Sequence, residues 1–186
     1  GNISVRLDDC FLITPTDACL GFLDPARLAK LDVNGQPLSG DKASKTIALH
    51  RSIYTAAAAF DTAARCIIHT HSTHCVALTL QHSYKAEAEL LPPITPYFVM
   101  KVGHVPLIAY HRPGDPAAAA LVSQTITRYG QRGTPIRALM LDRLGPNVWH
   151  DSPAAAMATL EELDETAKLM LTCKSSPKPL NEAQID

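Results

Sequence analysis

Apolar and polar residues alternate from Asn2 to Leu7, Asp8-Asp9 interrupts them, and Cys10-Phe11-Leu12-Ile13-Thr14 resumes a strand pattern. A period of two broken by turn residues predicts a hairpin. From Thr14 to Gly40 turn formers crowd the chain: Pro15, Asp17, Gly21, Pro25, Asn34, Gly35, Pro37 and Gly40. This stretch reads as loop and short strand, with one helical turn at Pro25 to Leu31. Ile47, His50, Arg51, Ile53, Tyr54 and Ala57 then recur at helical steps in a region free of Gly and Pro. That spacing predicts a helix from Lys45 to Phe60.

Arg65-Cys66-Ile67-Ile68-His69 reads as a buried strand, followed by polar His71-Ser72-Thr73 and a short helix through Leu80. The prolines of Leu91-Pro92-Pro93-Ile94-Thr95-Pro96 force an extended path. Val105 to Tyr110 is an edge strand, because Pro106 cannot donate to a ladder. Asp115-Pro116 caps and starts a helix to Tyr129, and Ser152-Pro153 does the same for a last helix to Cys173. Between them Ile136 to Leu141 and Pro146 to His150 form short strands. The pattern predicts an α/β fold, a largely antiparallel sheet sandwiched by helices. Residues 1–174 form one domain and residues 175–186 a C-terminal tail that frays at Lys174-Ser175-Ser176-Pro177.

Composition narrows the function. With 186 residues, 46% apolar and 19% charged, the chain is one ordinary globular domain. A formal charge of -1 without charge runs disfavours nucleic acid and anionic membranes as partners. Apolar stretches such as Ala56 to Phe60 are far shorter than the roughly 18 to 20 residues that span a bilayer. The five cysteines form no C-x-x-C pair, which points to a reducing, cytoplasmic setting. No signal peptide is visible after Gly1.

The strongest chemical signal is His69-Thr70-His71 at the end of the apolar strand. Residues two apart on an extended backbone share a face, so the two imidazoles can converge on one cation. The same residues would also serve as ordinary polar side chains where a strand surfaces. His74 and Cys75 fall on the next helix and are not first choices as ligands. A Cys75–His74 nucleophile lacks an orienting third group. His50 reads as a structural hydrogen-bonding residue, His82, His104 and His111 sit at loop or strand ends without ligand spacing, and Cys66 reads as a small buried hydrophobe.

Several ordered segments together resemble one family. They are Gly1-Asn2-Ile3-Ser4, Thr14-Pro15-Thr16, Ser39 to Lys45, Leu49 to Tyr54, His69 to His74 and Leu91 to Tyr97. Their order and content resemble the class II aldolase/adducin family, nearest to its 3-oxo-tetronate 4-phosphate decarboxylase branch. The resemblance implies a three-layer α/β/α sandwich and a zinc-dependent lyase of phosphorylated sugars or sugar acids. It also implies a homotetramer with sites between subunits, and a helix preceding Gly1. It places the substrate phosphate on Asn2, Thr16 and Ser44, and the metal on His69 and His71. A divalent cation suits carbon–carbon cleavage beside a carbonyl because it stabilises the negative charge that cleavage leaves.

Two departures stand out. The family's third metal-binding histidine corresponds to Leu144, and its catalytic glutamate to Thr46, whose hydroxyl is no substitute for a carboxylate near neutral pH. Asp142, two residues before Leu144, would complete a His-His-carboxylate set if the strand continued, and His150 is a more distant donor. Asp17 stands where glycine usually follows Thr-Pro-Thr. The expectation is a metal-dependent lyase; the alternative is a catalytically impaired relative that serves as a binding or assembly subunit.

Overall fold

The computed structural model describes residues 1–81 and 88–185; His82 lies outside the described residues. In chain order the strands are β1 (Asn2–Arg6), β2 (Cys10–Ile13), β3 (Ala29–Asp32), β4 (Pro37–Ser39), β5 (Cys66–His69), β6 (Leu107–Ile108), β7 (Ala138–Leu141) and β8 (Gly145–His150). The helices are α1 (Ile47–Ala57), α2 (Thr73–Gln81), α3 (Pro96–Lys101), α4 (Pro116–Gln131), α5 (Pro153–Thr172) and the short α6 (Glu182–Ile185).

The strands form one sheet in the order β4-β3-β2-β1-β5-β8-β7-β6. All neighbours are antiparallel except β6 and β7, and β6 is the edge strand that Pro106 implied. Two apolar clusters fill the space between sheet and helices. Ile53, Tyr54 and Ala57 of α1 and Val122 and Ile126 of α4 cover one face with Ile67, Leu139 and Trp149. Leu78 of α2, Phe98 of α3 and Leu160 and Leu163 of α5 cover the other with Ile68, Met140 and Val148. The α/β/α sandwich is therefore real, and each buried strand supplies side chains to both layers.

Local chemistry sets the helix starts. Asp115 accepts from Ala117 N, Ser152 from Ala155 N and Thr95 from Phe98 N, each with proline at the first helical position. The helix expected from Lys45 to Phe60 is shorter, Ile47–Ala57, because its end gives way to a turn that seats the Phe60 ring on Gly130 of α4. The helical turn expected at Pro25 to Leu31 is a 3-10 turn at Pro25–Arg27 only. Beyond it Ala29 and Leu31 are buried while Lys30 and Asp32 are partly exposed, so tertiary burial selects a strand. The extended path through the prolines ends at Thr95, where α3 begins. Leu180 N donates to Pro93 O (2.8 Å), tying the tail back to this segment.

Candidate active site

Register places three polar residues in one row across adjacent strands: Asn2 of β1 pairs with His69 of β5, which pairs with Asn147 of β8. Directly paired residues point to the same face, here the α1 face. His69 Nδ1 donates to Pro146 O (2.9 Å), which fixes the ring and leaves Nε2 available to a ligand. Its neighbour His71 lies edge-on with ring centroids 5.5 Å apart. Burial lowers the His69 pKa to about 4, and burial lowers that of His71. Both imidazoles are therefore neutral at pH 7, the state a metal requires.

These histidines line a cavity of about 520 Å³ together with Asn2, Thr46, Leu144, Lys45, His111 and Arg112. The first turns of α1 and α4 also line it, through Ala48 and Leu49 and through Pro116 and Ala118. Two helix N-termini and the exposed Lys45 and Arg112 border the cavity, together with the Asp115 carboxylate that caps α4, and the first four favour an anionic ligand.

The segments expected to hold phosphate converge at one end of the sheet. Ile3 N donates to Thr14 Oγ1 (3.2 Å), and Pro15 bridges Ala43 with Thr16 N donating to Lys42 O (2.9 Å). Asn2 Nδ2 donates to Thr46 Oγ1 (3.1 Å), as does Ser44 Oγ (3.3 Å). Asn2 thus faces the main cavity and Ser44 reaches it through Thr46. Thr16 lines a second cavity of about 500 Å³ with Asp17, Arg27, Asp41 and Lys42. Asp17 adopts the left-handed backbone (φ 60) that its position demands and that aspartate tolerates better than most residues.

The carboxylate replacement for the third histidine does not form. Strand β7 ends at Leu141, and Arg143 turns left-handed (φ 62), which breaks the alternation that would have aligned Asp142 with Leu144. Among the described residues no group of three His, Cys, Asp or Glu converges. Two imidazoles remain as candidate metal donors, with Leu144 on the same cavity wall.

The remaining histidines take structural partners. His50 is fully buried and shares a 2.7 Å hydrogen bond between Nδ1 and Ser4 Oγ. His74 Nδ1 bonds Asp164 Oδ2 of α5 (2.8 Å), and Ser72 Oγ donates to the same carboxylate. Asp164 is thus an orienting group that the sequence did not reveal. Cys75 is nevertheless no nucleophile: it is buried in the second apolar cluster, and burial pushes its thiol up to about 12. His150 pairs with Asp151 at the far end of β8. His111 was the unexpected member of the cavity, since only the folded loop after β6 brings it there.

Comparison with known proteins places the chain in a family. Residues 1–171 match the class II aldolase and adducin N-terminal domain. A 3-oxo-tetronate 4-phosphate decarboxylase of Cupriavidus necator is 54% identical over 177 residues, covering 95% of this chain and 76% of that protein. Its counterpart in Escherichia coli K12 is 37% identical over 178 residues, covering 95% and 78%. Among solved structures, YgbL of Escherichia coli superposes with a TM-score of 0.84 at 35% identity, covering 100% of this chain and 84% of that one. The L-fuculose-1-phosphate aldolase of Thermus thermophilus gives 0.72 at 25% identity, covering 92% and 81%. The chain belongs to the class II aldolase and adducin N-terminal domain family.

Proposed function

We propose that the chain is a metal-dependent carbon–carbon lyase that decarboxylates a phosphorylated 3-oxo sugar acid. The observation that carries this reading is the cavity itself, in which a neutral imidazole pair shares one space with two helix N-termini, Lys45 and Arg112. Such a space suits a small substrate carrying both phosphate and carboxylate. The relatives at 54% and 37% identity bear the name of that reaction.

His69 and His71 hold the metal, zinc in this reading. A divalent cation held there would supply Lewis-acid stabilisation of the negative charge that cleavage leaves. Asn2 and, through Thr46, Ser44 take the phosphate with Lys45 beside them in the main cavity, while Thr16, expected with them, lines the neighbouring cavity instead. Arg112 pairs with the second anionic group of the substrate. The reading extends to a cytoplasmic homotetramer. It is supported by five free cysteines among the described residues and by exposed apolar side chains such as Phe22 (90%) and Met100 (75%), which suit burial between copies.

Leu144, where a third imidazole is expected, favours the alternative of a binding or assembly subunit without turnover. One experiment separates the two. Purified protein with excess zinc or manganese is supplied with phosphorylated 3-oxo acids and sugar phosphates while carbon dioxide and triose release are followed. Carbon dioxide release supports the decarboxylase; metal-loaded protein inert on the whole panel supports the alternative.

A further inference from the structure

Decarboxylation of a 3-oxo acid breaks the bond between the carboxyl carbon and C2. Carbon dioxide leaves, the bonding pair becomes the C2–C3 double bond, and O3 carries the negative charge. Turnover then requires one proton on C2, and something in the cavity must deliver it. The titratable side chains that line it are Lys45, His69, His71, His111, Arg112 and Asp115.

Most of these have other duties. Arginine does not release its proton in proteins, and Lys45 is an exposed point charge on a flexible stem. His69 and His71 are the metal donors in the reading above. Thr46 is a hydroxyl whose Oγ1 already accepts from Asn2 and Ser44. Both oxygens of Asp115 are engaged, Oδ1 with Ala117 N (2.9 Å) and Oδ2 with His111 Nδ1 (3.2 Å).

His111 remains. It sits on the loop between β6 and α4 with its side chain 23% exposed, enough to exchange protons with solvent and sheltered enough to meet substrate. Asp115 holds Nδ1 and so leaves Nε2 for the cavity, the base-and-orienter arrangement that proton-transfer sites use. We propose that His111, oriented by Asp115, is the catalytic acid that protonates C2 after carbon dioxide departs. The imidazolium gives its Nε2 proton to C2, the C3 carbonyl re-forms, and the neutral imidazole recovers a proton from water. Atoms and charge balance without a further co-reactant.

This assignment rests on the decarboxylase reading, and its test keeps the two apart. The parent chain, His111→Gln and Asp115→Ser are loaded with zinc, and turnover is measured together with deuterium incorporation in deuterated water at the product carbon that was C2 of the acid. Serine retains the cap on α4 while removing the carboxylate. We expect His111→Gln to lower kcat about 100-fold or more and abolish enzyme-catalysed exchange of the product. KM and metal content should stay within about 3-fold of the parent, as for loss of a group that acts in the transition state. Asp115→Ser should fall about 10-fold in kcat, in keeping with an orienting role. A folded, metal-loaded His111→Gln protein that keeps kcat and exchange overturns the assignment of His111 alone. If circular dichroism shows His111→Gln unfolded, undiminished kcat in Asp115→Ser overturns it instead. A parent that neither turns over substrate nor exchanges product protons overturns the decarboxylase reading and this assignment with it.

Discussion

The backbone of Gly145 lies against Thr70 so closely that a Cβ on Gly145 would collide with the Thr70 carbonyl oxygen and come within 3.2 Å of His71 Cα. Gly145 also holds φ at 131, a conformation that side chains with a Cβ rarely adopt. The first residue of β8 is therefore a rest against which the His69-Thr70-His71 segment is set.

Gly145→Ala should lower stability by about 3 kcal/mol, through backbone strain and collision together. The displaced Thr70 carbonyl would also move His71 relative to His69, so zinc affinity should fall with it. Urea unfolding and equilibrium dialysis measure the two effects, and both should appear in the same variant.

Leu144 is a partly buried cavity residue beside His69 and His71. Leu144→His adds an imidazole to a pair that already has two and should tighten zinc binding by about 100-fold or more, beyond what outer contacts to a ligand contribute. Dialysis against a competing chelator reads this directly. An unchanged affinity would mean that the Leu144 position does not face the metal.

The fold was legible wherever the signal was local. Proline after Asp115 and after Ser152 marked two helix starts, and the alternation from Asn2 to Leu7 marked the hairpin. The same signature stands at Thr95-Pro96, but the prolines around it concealed a helix of only six residues. Ala29 to Asp32 became a strand because burial of Ala29 and Leu31 overrides a weak helical preference after Pro25. In the site, His69 and His71 were legible as a pair two residues apart, and their rings do meet edge to edge, although β5 ends at His69 and His71 lies just beyond it. His111, Asp164 and the failure of Asp142 were not, since each depends on how separate segments meet or on one left-handed residue.

His50 sets a stability limit at low pH. Burial lowers its pKa from about 6.5 to about 3, so the folded protein keeps it neutral where the unfolded chain takes up a proton. Stability is unaffected above pH 6.5, and it falls as pH drops through the window from 6.5 toward 3. The slope from this group is about 1.4 kcal/mol per pH unit. His50→Gln should be less stable at pH 7, having lost the hydrogen bond to Ser4, but its stability should decline less steeply between pH 6.5 and 4. Urea unfolding across that range compares the slopes.

Asn147 presents the opposite case, a buried polar group that costs stability. It is 0% exposed, lies across the strand from His69, and neither Oδ1 nor Nδ2 finds a partner among the described residues. An unsatisfied buried amide costs about 1 to 3 kcal/mol, and leucine has similar size and the same branch point without the polar atoms. Its neighbours on that face include Leu139, the Cα partner on β7, and Trp149 two residues along β8. Asn147→Leu should therefore raise the urea midpoint without changing the slope of the transition, a gain of about 1 kcal/mol. Zinc affinity should hold, because His69 is aimed by the Pro146 carbonyl and not by Asn147. A loss of stability instead would show that internal water satisfies the amide. A loss of zinc affinity alone would show that Asn147 helps to orient His69.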